Sequence, residues 1–139
     1  MSGETDLTRL LQYMQPRRNE GEYVFCTVDS LSRAAALRPL CTFQEDEAVT
    51  MILPQKQADD ESLSYSTVCA WITLTVHSSL EAVGLTAAVS KALAEAGISC
   101  NVVAAYYHDH LFIPIADAER GMQVLTALTE RGRNLPCGG

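Results

Sequence analysis

The sequence predicts an α+β protein built from two βαββα units, each an antiparallel sheet with helices on one face. Three observations predict it. The stretch VCAWITLTV, residues 68–76, alternates with period two: Val68, Ala70, Ile72, Leu74 and Val76 point one way, and Cys69, Trp71, Thr73 and Thr75 the other. The residues that follow switch to a helical period, with Leu85, Ala88, Val89, Ala92, Leu93 and Ala96 on one stripe. The same punctuation then occurs twice. YVFCTVDSLSRAAAL parallels ITLTVHSSLEAVGL, and TFQEDEAVTMILPQKQAD parallels AAYYHDHLFIPIADAE. In both copies a polar turn separates two strands, and a proline closes the second strand before a helix.

Each element has its own signal. Leu7, Leu10, Leu11 and Met14 fall at i, i+3, i+4 and i+7, a short amphipathic helix that Pro16 ends. RRNEGE reads as a polar connection. EYVFCTV, residues 22–28, is β-branched and aromatic, so a strand is expected. DSLSRAAAL follows as a short helix. CTFQEDEAVTMILP reads as strand, acidic turn and strand, stopped by Pro54, and QKQADDESL as a short polar helix. In the second copy, Ser78 followed by Glu81 fits a capping box, and Gly97 fits a helix C-terminus. ISCNVVAAYY and HLFIP are two further strands. DAERGMQVLTALTER is the closing helix, with Asp117 expected as its N-cap, and GRNLPCGG a frayed tail. The expected domains are 5–63 (first helix and first unit), 64–131 (second unit) and 132–139 (flexible tail).

A βαββα unit suits a ferredoxin-like layer but lacks its last strand, and one such unit buries little alone. Pairing the units, by lending a strand or joining sheets, would supply both. The face of residues 68–76 that carries Cys69 and Trp71 is expected to be covered, by the other unit or by a second copy of the chain. A homodimer is the expected assembly.

Composition narrows the function. The chain has 139 residues, 47% of them hydrophobic, which suits a folded core. Its net charge of −7 disfavours nucleic acid and anionic membrane surfaces as partners. No apolar run approaches a membrane span, and the N-terminal residues lack the pattern of a signal peptide. Cys26, Cys41, Cys69, Cys100 and Cys137 contain no CxxC pair. Four lie in apolar, strand-like segments, so reduced thiols in a cytoplasmic protein are expected, with Cys137 exposed.

One segment is a candidate ligand site. HSSLEAVG, residues 77–84, joins a central strand to a helix start, where free N–H groups and the positive end of the dipole suit a carboxylate. Ser78 and Ser79 add hydroxyl donors. Gly84, placed within the first turns of that helix, permits close approach of a ligand or another backbone. Structurally, the same residues read as cap, capping box and packing glycine. Asn101 is unusual in a strand and serves either a ligand or the strand's edge.

These segments resemble a known family. ITLTVHSSLEAVGLTAAVSKALAEAGISCNVVAAYYHDHLFIP is similar to an ACT domain, in its strand, Ser-rich turn with EAVG, helix ending EAGI, following NVV, and YHDHLFIP. YVFCTV with TFQEDEAVTMILP resembles the first unit of small bacterial proteins built from two ACT-like units, relatives of the regulatory domains of aspartate kinases. The resemblance spans roughly residues 6–131. It implies a ferredoxin-like fold in each unit and amino-acid binding between units; with no catalytic motif in the sequence, no enzymatic activity and no cofactor are expected. Its ligand residues would be Ser78, Ser79, Leu80, Glu81, Val83 and Gly84 from the loop and helix start, with Asn101 and Val102 from the next strand. The alternative is a dimerisation or partner-docking module without a ligand.

YYHDHLFIP, residues 106–114, invites a metal or catalytic reading. His108 and His110 alternate with Asp109, so both rings can face one side, and His77 is a conceivable third ligand. The matching place in the first copy is QEDEA, without histidine, so a polar hairpin connection is expected instead. No HExxH, phosphate loop or nucleophile elbow is present, and no catalytic or metal residue is assigned.

Overall fold

A computed structural model describes residues 7–75 and 84–134. Residues 20–69 form one compact unit, and the described residues on either side of them form another. The boundary falls inside one strand.

In the first unit, β2 (Tyr23–Val28), α2 (Leu31–Leu37), β3 (Cys41–Gln44), β4 (Val49–Pro54) and α3 (Gln55–Asp60) follow the helix α1 (Leu7–Tyr13) and the short strand β1 (Pro16–Arg18) in the chain. Ser30 ends β2's turn and caps α2, accepting the Arg33 N–H at 3.2 Å. β4 pairs antiparallel with β2 from Tyr23↔Pro54 to Val28↔Val49, and with β3 from Cys41↔Ile52 to Gln44↔Val49. The core holds alternate strand residues, Val24, Cys26, Val28, Val49, Met51 and Leu53, under Ala34 of α2 and Ala58 of α3. Pro54 is the last residue of β4 and α3 starts directly after it, as expected of a residue that fixes φ and lacks an N–H. A fourth strand comes from Val68 and Cys69, paired with Val24 and Tyr23.

The second unit contains α1, β1, the rest of β5 (Val68–Leu74), α4 (Leu85–Glu95), β6 (Asn101–Ala104), β7 (Asp109–Pro114) and α5 (Ala118–Asn134). Its strands lie in the order β1-β5-β7-β6, and β1 pairs antiparallel with β5 from Pro16↔Leu74 to Arg18↔Ile72. Residues read from sequence as a polar connection are therefore the strand that a βαββα unit lacks. The strand is short and lies at an edge, where a proline costs no ladder bond. The core joins Ala70, Ile72, Leu74, Leu111 and Ile113 to Leu10 and Leu11 of α1 and Met14 just after it, Leu85, Val89 and Leu93 of α4, and Leu125 and Leu128 of α5. Grouped with the first unit in the sequence reading, α1 instead packs on α4 and α5 here.

Two helix ends differ from expectation. A 3-10 turn, Ile115–Asp117, precedes α5, and the Asp117 carboxylate accepts from Arg120 at 3.2 Å. The helix also continues to Asn134, through residues expected to fray. Gly132 explains the extension. A Cβ there would lie 2.9 Å from Leu11 Cβ and 3.1 Å from the Gln12 nitrogen, so the bare glycine lets α1 reach α5. Buried Thr129 donates to the Met14 carbonyl at 2.9 Å and ties the same two helices.

Candidate functional site

The start of α4 is set by backbone conformation. Gly84 has φ +101 and stands at the N-cap, with no side-chain cap bond, and its carbonyl accepts the Ala88 N–H at 2.8 Å. The sequence reading put Gly84 inside the helix and gave it a packing or ligand-approach role. The structure corrects the position: Gly84 is the N-cap, not a residue of the helix. A left-handed φ is what requires glycine here, and a Cβ would also press on Leu7 Cδ2 at 3.3 Å. The first N–H groups of α4 have no intrahelical acceptor and carry the positive end of the helix dipole. Residues 76–83, which include His77, Ser78, Ser79, Leu80, Glu81 and Val83, lie outside the described residues. So does the capping box drawn between Ser78 and Glu81.

Facing that helix start is a carboxylate read from sequence as a turn residue. The turn closes one residue earlier, with the Ala105 N–H donating to the His108 carbonyl at 3.0 Å, and Asp109 opens β7 opposite Ala104. Asp109 shares the parity of Leu111 and Ile113, both in the core under α4. Its carboxylate is half-buried and bonded to the Thr86 hydroxyl in the first turn of α4. Burial pushes its pKa above the ordinary aspartate value, against the opposing pull of His110, His108 and the Thr86 bond.

Asn101 and Val102 open β6, but neither joins this group. Val102 pairs with Leu111 and packs against the core. Asn101 pairs with Phe112, on the face opposite the helices, and its Nδ2 lies 3.5 Å from the Phe112 carbonyl. It stands three residues along β6 from the position opposite Asp109, about 10 Å at strand rise. One unit therefore does not bring Asn101 to the start of α4.

His108 and His110 do face one side, with ring centroids 6.5 Å apart. Buried His108 Nδ1 has no hydrogen-bond partner among the described residues. Among those residues no three His, Cys, Asp or Glu side chains converge as metal ligands. Cys26, Cys41, Cys69 and Cys100 are free thiols, Cys26 and Cys69 buried and the other two partly so. Burial raises the pKa of Cys26 and Cys69, and that of Cys100 to about 11, so these are poor nucleophiles.

Two ACT-domain family models match the sequence, one over residues 2–70 and the other over residues 66–127. The chain belongs to the ACT-domain family. It carries two such domains in tandem, and the strand orders above are those of two ferredoxin-like ACT units. A Vibrio cholerae protein of unknown function, described as a possible transport protein, is 48% identical, with TM-score 0.82 over 88% of this chain and 95% of that one. The regulatory subunit of aspartate kinase from Thermus flavus shares the fold at 10% identity and TM-score 0.61, over 81% of this chain and 95% of that one. Aspartokinase III of E. coli, solved with aspartate and ADP, is similar at 15% identity and TM-score 0.57, over 83% of this ACT protein and 32% of the kinase chain. No curated protein matches the sequence significantly. ACT domains are generally regulatory modules that bind small molecules, amino acids among them. No helix among the described residues is long and apolar enough to cross a membrane.

Proposed function

We propose that this protein is a non-enzymatic cytoplasmic regulator that binds a small amino acid at the start of α4. The observation that carries the reading is the Asp109 carboxylate, half-buried beside the Thr86 hydroxyl at a helix start. The two ends of an amino acid suit the two poles of that place. The ligand's carboxylate lies on the free N–H groups of α4 and its ammonium on Asp109. The loop residues Ser78, Ser79, Leu80, Glu81 and Val83 complete the pocket in this proposal. Asn101, with the backbone of Val102 beside it, enters the same site from a second copy of the chain, because one unit keeps Asn101 away from α4; the working form is thus a homodimer. A bound amino acid would change how the copies pack, and that change is the regulatory output.

The test is a thermal-shift screen of the full-length protein with each standard amino acid. At least one is expected to raise the melting temperature. At a hundredfold excess over its Kd the gain is about 2.7 kcal/mol, several degrees for a chain of this size. Asp109→Asn should fold and lose the response. A flat screen in both proteins contradicts the reading and leaves an ACT module that serves assembly alone. Gly84 is unsuitable for the test, since a side chain at its φ strains the turn with or without a ligand.

A further inference from the structure

On the sheet face turned away from the helices, the His110 imidazole of β7 gathers hydrogen bonds from two residues of β5. Trp71 Nε1–H donates to His110 Nδ1 at 3.0 Å, and Thr73 Oγ1 lies 3.1 Å from the same nitrogen. Asn19, just after β1, donates from Nδ2 to Thr73 Oγ1 at 2.9 Å and from its backbone N–H to the Trp71 carbonyl at 2.9 Å. Thr73 is buried, and Phe112 stacks on Trp71 with centroids 6.4 Å apart. An indole N–H only donates, so His110 Nδ1 carries no proton and the ring is the Nε2–H tautomer.

A proton on that nitrogen would turn an acceptor into a donor aimed at another donor. We propose that His110 is a proton-sensitive latch, closed while its neutral ring accepts from Trp71 and opened when Nδ1 is protonated. The device lies on the other face of the sheet from Asp109 and Thr86 and does not rest on ligand binding there. Three charged or titratable groups act on the ring, two from its own face of the sheet and Asp109 from the adjacent position on β7. His108 approaches it edge-on from the hairpin turn. Arg17 reaches it from β1, where it pairs opposite Thr73. Both oppose a positive ring, and only the neighbouring Asp109 favours one. Burial is the largest influence, and the balance holds His110 below the ordinary imidazole value of 6.5. The unfolded chain therefore takes up the proton more readily than the folded one. The latch's contribution to stability is complete above pH 6.5 and is lost as pH falls through the folded value.

Trp71 is the single tryptophan of the chain, so its fluorescence reports the latch directly. In a titration of the full-length protein from pH 8 to pH 4.5, the emission should change in a one-proton step centred below pH 6.5, while far-UV circular dichroism stays constant through it. His110→Asn places a carboxamide oxygen near the position of Nδ1 and cannot titrate, so its profile should be flat. His108→Asn removes a repelling neighbour and should move the midpoint upward. A flat wild-type profile, a step that survives in His110→Asn, or a step that coincides with loss of secondary structure overturns the latch. Should His110→Asn fail to fold, ring 15N shifts of the wild-type protein at pH 7.5 decide the matter. The Nε2–H tautomer upholds the latch, and the Nδ1–H tautomer refutes it.

Discussion

Asp109 is held at a cost. Its folded pKa lies above the ordinary value of 3.8, so the folded protein binds the proton more tightly than the unfolded chain. The associated stability is present below pH 3.8 and is lost as pH rises through the folded value. At neutral pH the ionised, half-buried carboxylate is therefore a liability. Asp109→Asn keeps an oxygen for the Thr86 hydroxyl and removes the charge. Its melting temperature at pH 7 is expected to exceed that of the wild type without ligand; a clear decrease would show that the carboxylate has a stabilising partner. This residue was visible in the sequence, but only as a turn former. What hid it was the position of the turn, which ends at His108 and leaves Asp109 in phase with Leu111 and Ile113. Gly84 was visible too, but placed inside the helix, because sequence periodicity does not show a left-handed φ.

At the scale of elements, strong periodicity was legible and weak or short signals were not. The alternation of residues 68–74 and the stripe of α4 appear as read, and Gly97 sits past α4 with φ +74, as a helix-ending glycine should. β1 escaped because three residues beginning with proline carry no period, and only its partner strand makes it a strand. The extension of α5 escaped because Gly132 looks like a helix breaker until α1 is placed against it. Gly132→Ala tests that contact. Helix propensity favours alanine by about 1 kcal/mol. Overpacking against α1 costs roughly 1–3 kcal/mol. A lower melting temperature is expected, measured by calorimetry; a rise of several degrees would mean that α1 yields easily and does not hold α5.

For the whole molecule, the duplicated βαββα order was legible because both copies carry the same turn and proline punctuation. The completing strands were inferred as a need and not located. In each unit the fourth strand comes from chain outside its own βαββα segment, β1 in one and residues 68–69 in the other. The candidate site was legible as a helix start preceded by serines. Its counter-charge was not, because that depends on which face of β7 meets α4. The most direct test of the central claim is an amide chemical-shift titration of the isotopically labelled protein with the amino acid selected by the thermal screen. Saturable shifts centred on Gly84, Leu85, Thr86 and Asp109 are the expected result. Saturable binding that leaves those four amides unmoved would contradict it.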